Sequence, residues 1–129
     1  MYLYAYSNEP KTGQKYIHQV ISKFHSNTPN GLIGNDDCGQ MSAWYILSSL
    51  GFYPVNPAGN EFVLGAPQLK KATLHLQNGK AFTIEAMNIS SENFYHEKVF
   101  LNGRRIESPF ITYPQIIDGG NLKFEMTNK

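Results

Sequence analysis

Gly34-Asn35-Asp36-Asp37-Cys38-Gly39-Gln40-Met41-Ser42-Ala43-Trp44-Tyr45 opens the run whose reading decides the fold. Two carboxylates stand between glycines. The apolar residues that follow, Met41, Trp44, Tyr45, Leu47 and Leu50, recur at helical spacing. Gly51 stands where a C′ glycine would stop such a helix. The pattern predicts a helix over residues 37–50. Asn35 or Asp36 is its natural N-cap, because either side-chain oxygen can accept an orphan backbone N–H. Asp37 then falls in the first turn, facing the positive end of the helix dipole. A carboxylate kept charged there suits a general base or a cation ligand and suits a general acid poorly. Acidic residues in a first turn are also ordinary, so capping alone accounts for both aspartates.

Upstream, Ser7-Asn8-Glu9-Pro10 reads as a cap followed by a proline near the first helical position. Tyr16, Ile17, Val20, Ile21 and Phe24 then fall on one helical face, which predicts an amphipathic helix near residues 10–25. The turn formers Ser26-Asn27-Thr28-Pro29-Asn30-Gly31 end it. Tyr2 to Tyr6 reads as a helix end or an aromatic turn. The first part of the chain is thus a helical hairpin whose connecting loop carries carboxylates.

After Gly51 the periodicity changes. Phe52 to Gly59 holds two prolines, cannot be helix, and reads as a connector. Short alternating runs follow: 61–64, 72–76, 81–86, 98–101, 105–106, 110–112, 116–117 and 122–126. Asn78-Gly79 is a type I′ hairpin signal, and Asn102-Gly103 repeats the dipeptide between two further runs. The expectation is an α+β fold. A helical segment over residues 1–58 precedes a C-terminal β domain over residues 59–129, built as an antiparallel sheet or partial sandwich.

Composition limits the function. A chain of 129 residues with 41% hydrophobic content can bury one modest core. A net charge of +1 gives no electrostatic case for nucleic acid, and Lys70-Lys71 and Arg104-Arg105 read as solvated strand edges. No apolar run is long enough to span a bilayer, and the first residues do not read as a signal peptide. Cys38 is the sole cysteine, so no disulfide is available. A Cys38 nucleophile with one of the four histidines has no supporting signature, and a buried small filler is the simpler reading. No Cys/His cluster is spaced for zinc. Asn88-Ile89-Ser90 matches a glycosylation acceptor, a triplet common by chance.

The stretch Gly34 to Tyr45, with Leu50-Gly51-Phe52-Tyr53-Pro54-Val55 and Leu64-Gly65-Ala66-Pro67, closely resembles the family 92 glycoside hydrolases. The resemblance is nearly unbroken from Tyr2 to about Pro67 and looser beyond. Members are calcium-dependent, inverting exo-α-mannosidases, many acting on α-1,2 linkages, and are several times longer than this chain. The resemblance implies that the helical hairpin is the tail of an (α/α)6 barrel and that the chain is a C-terminal piece. It also implies an extracytoplasmic setting, periplasmic or secreted, in a bacterium. The expected partners are mannose-containing glycans and the remainder of the parent enzyme. Self-association is expected through an exposed apolar helical face, with Tyr2, Tyr4, Tyr6, Ile17 and Phe24 as candidates.

Inverting hydrolysis needs two carboxyl groups flanking the sugar, roughly 6.5–9.5 Å apart. Neighbours on a helix point about 100° apart, so Asp36 and Asp37 cannot flank a sugar between them. By its place in the motif, Asp37 matches the family's general base. Asn35 matches a position that is Asp in some members and helps hold the water, so this chain departs there from a two-carboxylate base arrangement. Asp36 suits capping or orienting the loop. Gln40 suits a sugar hydroxyl or a loop carbonyl equally. Gly39, unfavourable within a first helical turn, suggests close packing against another backbone. Trp44 reads as core. The family's general acid lies upstream of the matched region, and its calcium is expected to draw mainly on residues outside this chain, with no metal ligand here. The competing reading is a non-catalytic carbohydrate-binding or structural β-rich module.

Overall fold

The structure, a computed structural model, describes residues 1–7 and 9–129. A short 3₁₀ helix, Tyr2–Tyr6, precedes α1, Pro10–Phe24. Of the stretch read as its cap, Asn8 lies outside the described residues; Glu9 is the N-cap, without a side-chain cap bond, and Pro10 sits at the start of the helix. A loop leads to α2, Gln40–Leu50. Gly51 adopts φ 96° and sends its N–H to the Leu47 and Ser48 carbonyls, the left-handed cap the sequence called for. A Cβ at Gly51 would also lie 3.0 Å from the Pro67 Cβ and 3.1 Å from the Phe124 ring, so the helix end is pressed onto the sheet.

Strands β1, Phe52–Tyr53, β2, Glu61–Leu64, and β7, Phe110–Thr112, form a three-stranded antiparallel sheet in the order β1-β2-β7. Phe52-Tyr53, expected as connector, is therefore a strand, paired in register with Leu64 and Val63. The prolines that exclude helix begin only after it. The larger sheet contains β3, Lys71–His75, β4, Ala81–Met87, β5, Tyr95–Leu101, β6, Arg104–Ile106, and β8, Gly120–Thr127. Its order is β3-β4-β8-β5-β6. Every pairing is antiparallel except β4 with β8, which run parallel with Ile84 opposite Leu122 and Ala86 opposite Phe124. Lys71 opens the outer strand β3, with Lys70 just before it, and Arg104-Arg105 lie on the outer strand β6; Lys71 meets Glu85 at 3.0 Å and Arg105 meets Glu107 at 2.8 Å.

Residues 116–117 correct the strand assignment. Tyr113–Ile117 is a short helix, α3. Thr112 accepts the Gln115 N–H while the Gln115 side chain accepts the Thr112 N–H, a complete capping box, and Pro114 lies in the first turn. The two Asn-Gly turns differ. Asn102 (φ 50°) and Gly103 (φ 79°) both take the left-handed region between the directly paired Leu101 and Arg104, as a type I′ turn requires. At the other, Gly79 has φ 80°, whereas Asn78 does not enter that region. The Gly79 N–H bonds Leu76 O at 3.0 Å, and the Leu76 N–H bonds Lys80 O at 2.9 Å. This is a three-residue loop ending in a left-handed glycine, not the two-residue type I′ turn expected.

The main core gathers Phe82, Ile84 and Ala86 of β4 with Leu122, Phe124 and Met126 of β8, Val99 of β5, and Leu50 and Phe52 from the end of the helical region. A second core joins Tyr2, Ile17 and Ile21 to Val63 and Ala66, with Trp44 packed against it. Each core draws on residues from both sides of residue 58. Tyr2 and Ile17, expected on an outward apolar face, are buried. The Tyr2 ring stacks on Tyr53 at 5.3 Å, and its hydroxyl bonds Ser48 Oγ at 2.9 Å. Burial pushes that phenol up, against the opposing pull of the Ser48 bond. Leu3, Tyr6, Phe24, Ile33 and Ile46 are exposed apolar side chains of the helical region, joined by Met1, Tyr16 and Tyr45.

A second tie joins α1 to the large sheet. Gln14 is 3% exposed; its Oε1 accepts the His96 backbone N–H at 2.9 Å, and its Nε2 lies 3.0 Å from His96 Nε2. β5 is bulged just beyond this contact, its register against β8 shifting between His96 and Lys98.

Candidate active-site loop

The acidic motif is not one continuous helix. Asp37–Gly39 forms a separate 3₁₀ turn, and α2 begins at Gln40, with Gly39 as its N-cap. The break has a specific cause. Cys38 (φ 54°, ψ 24°) and Gly39 (φ 73°, ψ 14°) are consecutive left-handed residues. Glycine takes that region freely, whereas for cysteine it is a strained choice. Nothing lies within 4 Å of a Cβ placed on Gly39, so its role is conformational and not the close packing expected from sequence. Cys38 is exposed, which corrects its reading as a buried filler.

Asp36 holds the turn from below. Its Oδ1 accepts the Met41 N–H at 2.8 Å and the Ser42 N–H at 3.1 Å, and its Oδ2 accepts the Ser42 hydroxyl. Its carboxylate therefore satisfies two orphan amides of α2 without occupying the N-cap position. The Ser42 hydroxyl, followed by the Ser42 amide, holds the Asp36 carboxyl below the usual carboxylate range. The turn itself closes through the Gly39 N–H to Asp36 O, 3.1 Å, and the Gln40 N–H to Asp37 O.

Asn35, Asp37 and Gln40 are exposed. Among the described residues, no side-chain hydrogen bond or ion pair engages Asp37. Of the two neighbouring carboxylates, one is occupied and the other is left facing outward. Gln40 lies at the edge of a cleft of about 290 Å³, lined also by Met1, Val20, His25, Ile33, Met41 and Trp44. Within its lining His25 stacks near-parallel on Trp44 at 5.7 Å, and it also stacks on Tyr45, outside the lining, at 4.9 Å. Its Nδ1 approaches Val20 O at 3.3 Å, while the buried Nε2 has no partner. Sequence gave no reason to choose His25 among the histidines; it caps the end of α1, and only the hairpin brings it to α2.

A calcium ion takes 6–8 oxygen ligands, carboxylates and carbonyls among them. Among the described residues no three His, Cys, Asp or Glu side chains gather around one point, and both oxygens of Asp36 are already engaged. No helix is long and apolar enough to cross a membrane among those residues.

Comparison with known proteins places this geometry. The family model described as the glycosyl hydrolase family 92 catalytic domain matches residues 1–128. A family GH92 alpha-mannosidase from Bacteroides thetaiotaomicron superposes with a TM-score of 0.95 at 43% identity, over 99% of this chain and 17% of that one. A family GH92 inverting mannosidase from Bacteroides thetaiotaomicron VPI-5482 gives 0.92 at 37% identity, over the same shares. An uncharacterized secreted glycosidase of Arthroderma benhamiae is 29% identical over 128 residues, 97% of this chain and 16% of that protein. The chain thus spans between 16% and 17% of the length of these relatives.

Proposed function

The chain belongs to glycosyl hydrolase family 92, and on that premise we propose that it is the part of a larger, secreted α-mannosidase that carries the general base. The observation behind the assignment is the division of labour between the adjacent aspartates. Both are exposed, but Asp36 is tied by three hydrogen bonds to the start of α2, whereas among the described residues Asp37, at the start of the left-handed turn, has no side-chain partner. A free carboxylate on a fixed turn suits the abstraction of a proton from water. Asn35, beside it, can donate or accept a hydrogen bond to that water. Gln40 and the His25–Trp44–Tyr45 cluster suit a polar and aromatic flank for a sugar.

The reaction we infer is inverting hydrolysis of an α-mannoside, α-1,2-linked as the leading case. Water activated by Asp37 attacks the anomeric carbon while an acid on the opposite face protonates the departing oxygen. An inverting mannosidase among the relatives supports this stereochemistry, and a secreted glycosidase supports export. The acid and the calcium belong, on this reading, to the remainder of the enzyme. Exposed Leu3, Tyr6, Phe24, Ile33 and Ile46 offer that remainder an apolar face.

The test is kinetic. In the longer enzyme, Asp37→Asn should lower kcat on α-1,2-mannobiose by about 10²–10⁴-fold with the fold intact. The 129 residues alone should show no turnover, with or without calcium. Undiminished kcat for Asp37→Asn would overturn the base assignment, and robust turnover by the isolated chain would overturn the division into parts.

A further inference from the structure

The three hydrogen bonds on Asp36 exceed what capping requires. Oδ1 alone satisfies the orphan amides of Met41 and Ser42. The third bond, from the Ser42 hydroxyl to Oδ2, adds no backbone satisfaction. It fixes the rotation of the carboxylate plane and leaves neither oxygen of Asp36 unengaged. What the clasp spans is the turn Asp37–Gly39, in which Cys38 holds a left-handed conformation that a non-glycine residue adopts at a cost of about 1 kcal/mol or more. Such a residue persists only where its surroundings over-determine it. The covalent neighbours of the turn are Asp36 and Gln40, and the side-chain lock across it is the Ser42–Asp36 pair.

We propose that Ser42 is a positioning residue: through Asp36 it holds the left-handed turn and so sets the direction in which the Asp37 carboxylate is presented. The inference rests on the reading of Asp37 as the base. Ser42 touches neither water nor sugar in this scheme. Its hydroxyl donates to Asp36, Asp36 fixes the first turn of α2, and the fixed turn aims Asp37. A displacement on the scale of 1 Å at a catalytic group costs roughly 10²-fold in rate, so a modest relaxation of the turn is enough to be seen.

Two measurements separate this inference from the one beneath it. On the 129-residue chain, carbon-detected NMR follows the Asp36 carboxyl through an acid titration, and the HN–Hα coupling of Cys38 reports its φ. Ser42→Ala should move the Asp36 midpoint up and shift the Cys38 coupling away from the left-handed value; Ser42→Thr, which keeps the hydroxyl, should restore both. In the longer enzyme, Ser42→Ala should lower kcat about 10- to 100-fold with KM within about twofold, and Ser42→Thr should recover most of it. If Ser42→Ala does not fold, Ser42→Val serves in its place. It keeps the shape of Thr, lacks the hydroxyl that donates to Asp36, and should show the same kcat loss. An unchanged Cys38 coupling, or full kcat in these variants while Asp37→Asn is inactive, would overturn the positioning role and leave the base assignment standing. Full kcat for Asp37→Asn would remove the base assignment, with the NMR result still deciding whether the clasp shapes the turn.

Discussion

The Gln14–His96 contact makes a quantitative prediction about acid. The His96 backbone N–H is an unambiguous donor, so the Gln14 atom that meets it must be Oε1. Gln14 Nε2 is then a donor facing His96 Nε2, which must offer a lone pair. The ring is thereby fixed as the neutral tautomer protonated at Nδ1, and a protonated ring would set N–H against N–H. Turning the Gln14 amide over only moves the clash to the backbone. Burial, and to a lesser degree Lys11, holds the His96 pKa down to about 4 from an ordinary 6.5. Lys11, Glu97, Lys98, Arg105 and Glu107 are the charged groups lining the groove beside it.

Because the folded value is the lower one, the stabilisation is complete above about pH 6.5. It is lost as the pH falls towards 4. At 1.36 kcal/mol per unit the full shift corresponds to about 3.4 kcal/mol. His96 is not wholly enclosed, and down to pH 4.5 only part of the shift is realised, so about 2 kcal/mol is the expected share. The assay is urea unfolding of wild type and His96→Gln at intervals from pH 7.5 to 4.5. His96→Gln removes the titration and retains a side-chain acceptor for Gln14. The wild type should lose about 2 kcal/mol more than the variant across that range, a difference of several degrees in Tm. Taking the difference cancels carboxylates such as Asp36 and Glu85, which are held low in both proteins. A flat difference curve would refute both the tautomer argument and the coupling of α1 to β5.

Two further substitutions probe packing and local structure. Gly65→Ala places a Cβ 2.8 Å from Tyr2 Cε1 and 3.1 Å from Ile17 Cδ1, so the variant should lose about 1–3 kcal/mol in urea unfolding with weakened near-ultraviolet tyrosine signals. Thr112→Ala removes the hydroxyl half of the α3 capping box and should cost about 1 kcal/mol by thermal melting, with little change elsewhere in the amide spectrum.

Much of this molecule was legible in its sequence because the signals were local. The spacing of Ile17 and Ile21, the glycine after Leu50 and the alternation of Leu122, Phe124 and Met126 each state a burial face within a few residues. The elements missed were set from farther away or by a different local code. Gln14 is polar and Gly13 small, so neither marks the buried stripe of α1, yet both are buried. The two Asn-Gly turns carry the same dipeptide and diverge because the flanking pairs leave loops of different length. Thr112-Tyr113-Pro114-Gln115 did contain its helix signal, a capping box with proline, but the apolar pair after it resembled yet another strand. In the acidic loop, a capping aspartate was readable from residue type. The left-handed Cys38 was not, since cysteine has no preference for that conformation. That backbone choice separates Asp37 from the helix.

The placement of β8 has a consequence for synthesis. Residues 120–127 sit in the middle of the five-stranded sheet, between β4 and β5. Hairpins β3–β4 and β5–β6 are sequence-local and can form as the chain emerges. They cannot join until β8 arrives to pair with both. Until then the inner edges of β4 and β5 remain unpaired, with Phe82, Ile84 and Val99 uncovered. A ribosome stalled before residue 120 therefore holds two sticky half-sheets, and a nascent chain interrupted there is expected to engage chaperones or aggregate. The strand that closes the sheet is translated last among its members, so in that interval something other than β8 must shield the two edges.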